Sequence, residues 1–166
     1  MWLPILICLA AVALLLGPVL LMQPTASQRR EAALRNLAMQ KGLRVHLQPA
    51  PAGVDLPART KTVPIYCRPW TDKKSANPAW VLIKKKYDHG LHAHGNWDWS
   101  KKPDGASLEL RFGTFWPLLD QLPERVVGVA NGPQGLCCYW NELGGEEVVS
   151  EIQEWLEKAS LALKQN

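Results

Sequence analysis

The chain has 166 residues, of which 47% are hydrophobic and 20% charged, and its formal net charge is +4. This length suits one domain plus an appendage, and the mild charge excess excludes the strongly basic profile of a dedicated nucleic-acid-binding protein. Once the apolar start and its flank are set aside, about 120 residues remain, which is enough for one modest hydrophobic core.

An apolar run opens the chain. No charged side chain precedes Arg29, and residues 2–22 are nearly all Leu, Ile, Val and Ala. As a helix this run would be about 31 Å long, close to the hydrocarbon thickness of a bilayer. A cleaved signal peptide is the alternative, but no basic residue precedes the run, the run is too long for a signal h-region, and residues 24–26 make a weak cleavage site. The sequence predicts an uncleaved transmembrane anchor over residues 1–24.

The flank after this run is basic. Glu31 is the single acidic residue opposing five basic residues, which are Arg29, Arg30, Arg35, Lys41 and Arg44. The N-terminal side of the run has no basic side chain. The positive-inside rule therefore predicts a single-pass protein of the bacterial inner (plasma) membrane with its C-terminal domain in the cytoplasm.

Residues 25–42 form the predicted juxtamembrane basic helix. Ser27 can cap a helix that begins near Gln28, and Gly42 can end it at the C′ position. The apolar positions of this helix are Ala32, Ala33, Leu34, Leu37 and Ala38. We expect its arginines to lie near anionic head groups of the lipid bilayer.

Three short strands are predicted next. Residues 43–47 alternate apolar and polar side chains, which is typical of a half-buried strand. Residues 63–67 form a second strand, in which Pro64 favours an edge position or a strand start. Residues 80–83 are a compact apolar strand that runs into Lys84, Lys85 and Lys86. The intervening residues 48–58 and 71–78 are predicted loops, the first rich in Pro, Ala and Gly and the second polar.

Two hairpins are predicted from Pro, Asp, Asn and Gly in the turns between strand-like segments. The first joins residues 96–100 to residues 107–112 through residues 101–105. The second joins residues 126–129 to residues 136–140 through residues 131–135.

The clearest helix of the soluble part covers residues 146–164, after a short one over residues 114–121. The predicted apolar face of the helix over residues 146–164 comprises Val148, Ile152, Trp155, Leu156, Ala159 and Leu163. The acidic first turn and basic last turn of this helix match the helix dipole. Strands outnumber helices, and most neighbours are joined by short turns. Residues 43–166 are therefore predicted to form a soluble α+β domain, a mostly antiparallel sheet covered by the C-terminal helix.

The four cysteines make a poor disulfide framework. Cys8 lies in the apolar run, which leaves an odd number in the soluble part, with Cys137 and Cys138 adjacent. Free thiols suit a reducing compartment. We expect Cys67, Cys137 and Cys138 to be small buried apolar side chains in strands. Neighbours in a strand point to opposite faces, so Cys137 and Cys138 are not expected to act on one metal or substrate.

Three histidines are the most suggestive cluster. His89, His92 and His94 lie close together and could bind zinc, with Asp88 and Asp98 as oxygen ligands. The spacing is wrong for the His-x-His-x-Asp-His motif of metallo-β-lactamase-type hydrolases. Gly90 and Gly95 indicate an exposed loop instead. No metal site and no cofactor are predicted, and metal binding by this cluster is kept as an alternative.

Catalytic motifs are missing from the sequence. There is no Gly-x-Ser-x-Gly elbow, P-loop or dinucleotide fingerprint. Residues 84–87 and 97–102 mix lysines with aromatic residues, as single-stranded nucleic acid or a membrane interface would require. This mixture is most often a core Trp beside a solvated Lys, and the RNA-binding signatures are absent. The chain is predicted to be neither an enzyme nor a nucleic-acid-binding protein.

Residues 14–45 resemble the YajC-type accessory protein of the bacterial Sec translocon. The matching stretches are Leu20-Leu21-Met22-Gln23-Pro24, Gln28-Arg29-Arg30-Glu31 and Lys41-Gly42-Leu43-Arg44-Val45. That family has one apolar span, a basic exit, a short charged helix and a Lys-Gly-x-x-Val strand, so the resemblance implies the topology that the charges predict. Pro24 follows Gln23, the reverse of the family's order, and the domain after Leu47 has no counterpart there. The whole chain is also similar to uncharacterised single-span inner-membrane proteins of gammaproteobacteria.

Three functions follow as hypotheses. The first is a membrane-anchored, non-enzymatic interaction or accessory protein whose partner is another membrane protein or complex. The second is a YajC-like accessory subunit of the preprotein translocase. The third is a metal-binding domain or metal-dependent enzyme that uses His89, His92 and His94.

Overall fold

Helices and one antiparallel sheet make up the computed structural model, which describes residues 2–21, 23–54, 62–72, 78–87, 93–103 and 112–164. The backbone contacts divide the chain into two units, Met1–Ala33 and Leu34–Asn166. The larger unit holds the sheet, so the predicted α+β class is confirmed.

The chain begins with two helices, α1 over Leu3–Leu21 and α2 over Ala26–Gln40. Helix α2 starts with a capping box in which the Gln28 amide N–H donates to Thr25 Oγ1 and the Thr25 amide N–H donates to Gln28 Oε1. The predicted Ser27 cap is therefore wrong, because Thr25 and Gln28 have the spacing that satisfies two N-terminal amides at once. Over the described residues, no helix combines the length and the apolarity that a membrane crossing requires.

Gly42 occupies the C′ position after the last residue of helix α2, as predicted. Gly42 has φ +80°, and its amide N–H donates to Met39 O while the Leu43 amide N–H donates to Ala38 O. These two bonds form a Schellman motif, which satisfies carbonyls of the last turn. Leu34, Ala38 and Leu43 are buried in one cluster with the sheet, so the second half of α2 is part of the core of the larger unit.

Six strands form the sheet in the order β1-β2-β6-β5-β3-β4, and all neighbours are antiparallel. The strands are β1 Arg44–Pro49, β2 Thr62–Arg68, β3 Trp80–Lys84, β4 Trp97–Lys101, β5 Val126–Gly132 and β6 Gly135–Trp140. The predicted mostly antiparallel sheet is confirmed.

The position of Pro64 follows from the pairing of β2. This strand pairs with β1 along its length but with β6 only from Ile65 onward. Pro64 lacks an amide hydrogen and lies one residue before the pairing with β6 begins. It therefore disrupts no hydrogen bond to β6.

Of the two predicted hairpins, the second is confirmed. Strands β5 and β6 pair from Val126↔Trp140 to Gly132↔Gly135, which leaves a two-residue turn. Gly135 has φ +129°, and a Cβ atom there would lie 2.0 Å from Arg68 O, so this position requires glycine. The first hairpin has β4 as its first arm, but residues 107–111 of its second arm lie outside the described residues. Strand β4 pairs with the earlier strand β3.

Two further helices follow, α3 over Trp116–Leu119 and α4 over Glu146–Lys164. The bounds of α4 match the prediction, and α4 contacts β2, β6 and α3. The predicted apolar face is one position off at its start, because Val149 is fully buried and Val148 only partly. The predicted cover of the sheet by the C-terminal helix is confirmed.

Candidate functional site

The described side chains of helix α1, those of residues 3–14, are apolar and exposed. Ile5, Leu6 and Ile7 are consecutive and all exposed, and Leu9 and Leu14 have exposed fractions of 63% and 78%. Consecutive helical positions point about 100° apart, so these side chains cover the whole circumference.

Four cationic side chains of the predicted basic flank are exposed, namely Arg29, Arg30, Lys41 and Arg44. The Arg29 side chain donates from Nε to Pro24 O at 3.1 Å. Arg35, the fifth residue of the predicted flank, is only partly exposed and has a different role. The structure pairs it with an acidic residue, and its predicted place near lipid head groups stays untested.

That partner is Glu142, and the two form a buried clamp with Tyr66. Arg35 Nε donates to Glu142 Oε1 at 2.7 Å, and Arg35 Nη2 donates to Glu142 Oε2 at 2.6 Å. The hydroxyl of Tyr66 also donates to Glu142 Oε1, at 2.7 Å. Glu142 is 5% exposed and Tyr66 is fully buried. The clamp therefore joins α2 to β2 and to the segment between β6 and α4.

The electrostatics of the clamp indicate a structural role. Burial raises the pKa of Tyr66 well above its ordinary value, and the hydrogen bond to Glu142 raises it further. Glu142 has φ +56°, an uncommon conformation for a non-glycine residue, which its three hydrogen bonds hold in place. Because these hydrogen bonds join α2 to β2 and to the segment after β6, we assign the clamp to holding α2 against the sheet.

This clamp could hardly be predicted from the sequence. Arg35 and Glu142 are 107 residues apart. The available signal was local: Arg35 follows Leu34 and lies one turn before Ala38 and Met39, at the border of the buried face of α2. A charged side chain at such a border is well placed for a partner in the sheet.

The prediction of free thiols is wrong for two cysteines. Cys67 of β2 and Cys137 of β6 are directly paired in the sheet and form a disulfide. Since these residues are separated by 70 positions, only the strand order brings them together. Cys8 and Cys138 are free. The prediction that Cys137 and Cys138 face opposite sides of the sheet is confirmed, because they belong to different core clusters.

His94 is the one member of the predicted histidine cluster that the described residues include. Its ring stacks on Trp116 with a centroid distance of 5.3 Å and an interplanar angle of 16°. Its backbone exchanges hydrogen bonds with Trp97. The expectation of an exposed loop is wrong for His94, which is half-buried. His89 and His92 lie outside the described residues.

Metal binding by the cluster stays an untested alternative. Across the described stretches, no three His, Cys, Asp or Glu side chains come together as a metal site would require. The His94 ring packs against an aromatic neighbour, which accounts for this histidine without a ligand.

A cavity of about 320 Å³ lies on the sheet face that carries the disulfide. Its floor is apolar and includes Ile65, Val81, Ala130 and Tyr139, while the β5–β6 turn forms its rim. Burial raises the pKa of Tyr139. The described lining also includes Lys101 and Cys137, and Cys137 is bonded to Cys67.

Comparison with protein-family models, with curated proteins and with solved structures returned no match.

Proposed function

We propose that this chain is a membrane-tethered, non-enzymatic accessory protein whose α+β domain binds another membrane protein or complex from the cytoplasmic side. The sequence feature that carries the proposal is a run of 21 residues, 2–22, that contains no charged side chain. As one helix, a run of this length would be about 31 Å long. This length is close to the hydrocarbon thickness of a bilayer.

A binding role is supported by how the buried polar groups are used. The described carboxylate and guanidinium of the clamp are paired with each other, and they link α2 to the sheet. This pairing holds the part of α2 that belongs to the larger unit against the sheet. A tether would raise the effective concentration of such a domain at its partner.

Two observations disagree about the compartment. Arg29, Arg30, Lys41 and Arg44 favour the cytoplasm by the positive-inside rule, whereas disulfides are typical of oxidising compartments. We give the basic flank more weight, because charges this close to a span determine orientation directly. Cys67 and Cys137 are opposite each other in neighbouring strands and form a disulfide in this structure. In the cytoplasm the pair would be held as two thiols.

An accessory subunit of the preprotein translocase is a second proposal. The order of α2, Gly42 and β1 follows the order of charged helix and Lys-Gly-x-x-Val strand in the YajC-type family. Crosslinking in intact membranes followed by affinity purification separates the two proposals. Recovery of translocase subunits favours the second proposal, and recovery of a different membrane complex favours the first.

Membrane anchoring is tested by alkaline carbonate extraction. We expect the full chain to stay in the membrane pellet and a Leu9→Arg/Val12→Arg variant to be released, because each arginine at the centre of a span costs about 2.5–3.5 kcal/mol. The matched control is Leu47→Arg, which places the same side chain at an exposed apolar position of the sheet and should leave the chain in the pellet. Release of the full chain by carbonate would overturn the anchor.

A further inference from the structure

A strongly basic surface lies at one end of the sheet and has no role in the proposed tether. We call it the lysine face and define it as Lys84, Lys85, Lys86 and Arg125, which line a cavity of about 520 Å³. The three lysines come from the end of β3 and the residues after it, and Arg125 comes just before β5. Strands β3 and β5 are antiparallel neighbours, which is why these charges meet. Glu124 is the one acidic side chain among the described lining residues.

Two of the lysines are held in place by the fold. Lys84 Nζ lies 5.9 Å from the ring centroid of the buried Trp97, so its stem follows an aromatic surface while its charge stays outside. Lys85 Nζ donates to Gly53 O at 2.9 Å, and the Lys85 amide N–H donates to Asn96 O. Their side chains therefore lose less conformational freedom when an anion binds than free surface lysines would.

The residue that follows the lysines is a large exposed aromatic. Tyr87 has an exposed fraction of 63%. Tyrosine beside lysine is characteristic of the membrane–water interface, where the ring lies among head groups and the ammonium meets phosphate. A surface for protein contact would instead be depleted in lysine.

A second basic cavity is a weaker candidate. It is lined by Lys41, Arg68 and Lys164, among others. Arg68 is paired with Glu157, and Lys164 lies over the Trp70 ring. Lys41 and Lys164 also lie at the C-terminal ends of α2 and α4, where a cation offsets the helix dipole. This cavity therefore brings together three cations, one of them paired with a carboxylate, against four cations on the lysine face.

We infer that the lysine face is the surface by which the domain contacts the phosphates of anionic phospholipid head groups. This inference rests on the proposed function, because the tether keeps the domain beside the bilayer. The cytoplasmic leaflet carries a negative surface potential, and each nearby Lys or Arg strengthens binding to it by about fivefold. Four cations and one acid around one cavity would hold the domain against that leaflet.

The test uses the full chain reconstituted into vesicles of phosphatidylcholine alone or of phosphatidylcholine mixed with phosphatidylglycerol. The readout is the rate at which an amine-reactive reagent acetylates each lysine, measured by mass spectrometry relative to Lys158 on α4. We expect Lys84, Lys85 and Lys86 to react at least about fivefold more slowly in the anionic vesicles. High salt should abolish the difference, because it screens exposed charges.

A matched pair of variants identifies the surface. Lys86→Glu/Arg125→Glu should remove the protection of Lys84 and Lys85, whereas Lys102→Glu/Lys158→Glu, with the same change in charge elsewhere, should leave it intact. In the control variant Lys158 is itself substituted, so the acetylation rates are measured relative to Lys164.

The outcomes separate this inference from the proposed function. Equal lysine reactivity in both vesicle types, in a chain that floats with both, overturns the lysine face and leaves the anchor standing. Protection of Lys84 and Lys85 that persists in Lys86→Glu/Arg125→Glu also overturns the lysine face. So does protection of these lysines that appears with added single-stranded RNA and is absent with phosphatidylglycerol. A chain that floats with neither vesicle type overturns the anchor and this inference with it.

Discussion

Trp155→Ala should lower the free energy of unfolding by about 3–5 kcal/mol. Trp155 lies on α4 with an exposed fraction of 3%, and its ring meets Phe115 edge-to-face at a centroid distance of 5.9 Å. Its indole N–H donates to Leu118 O. The substitution would leave a cavity and an unpaired carbonyl in the main core. It would also remove a ring contact from Phe115, which belongs to a network of ring contacts with Trp80, Phe112 and Trp116.

Chemical denaturation monitored by circular dichroism measures this effect. Leu161→Ala is the matched control, because Leu161 is an exposed apolar residue on the same helix and should change stability by less than about 0.5 kcal/mol. Trp155→Phe should fall between the two, since it keeps an aromatic ring but loses the hydrogen bond. Equal midpoints for Trp155→Ala and Leu161→Ala would show that α4 does not pack on the sheet as described.

Glu142→Ala should destabilise the domain by about 3 kcal/mol, the lower end of the range for breaking a buried ion pair. We place it there because Arg35 is 29% exposed and water can partly replace its partner. Tyr66 is fully buried, so its hydroxyl would lose its acceptor without access to solvent. Glu142→Gln should cost less, because an amide oxygen can still accept from Tyr66.

A double-mutant cycle between Arg35→Ala and Glu142→Ala isolates the contribution of the pair. We expect a coupling free energy of about 1–3 kcal/mol, so that the double variant is more stable than the sum of the single changes predicts. Arg68→Ala and Glu157→Ala form the control cycle. This second ion pair is also short, but its side chains are 38% and 46% exposed, and its coupling should stay below about 1 kcal/mol. Equal coupling in both cycles would contradict the assignment of a buried clamp.

Elements with local signals could be predicted from the sequence. Helix α4 has acidic residues in its first turn, a lysine in its last and an apolar face between them, and its bounds match the prediction. The β5–β6 hairpin was predictable because its turn residues lie between two apolar segments. Gly42 marked the end of α2 because a left-handed position after a helix favours glycine.

Features that depend on distant residues could not be predicted in this way. The strand order places β6 beside β2 and β3 beside β5, and no local pattern contains that information. The disulfide between Cys67 and Cys137 follows from this order, as does the approach of Gly135 to Arg68. The expectation of unpaired thiols failed because it counted cysteines without knowing which strands are neighbours.

We propose that residues 2–22 hold the chain in the inner membrane with its domain in the cytoplasm. The most direct test fuses a reporter after Asn166, using green fluorescent protein in one strain and alkaline phosphatase in another. The first folds and fluoresces in the cytoplasm, and the second is active only after export to an oxidising compartment. We predict a fluorescent first fusion and an inactive second one. An active phosphatase with a dark fluorescent protein would place the domain outside the cytoplasm. The Cys67–Cys137 disulfide would then be the expected state, and the orientation inferred from the basic residues between Arg29 and Arg44 would be wrong.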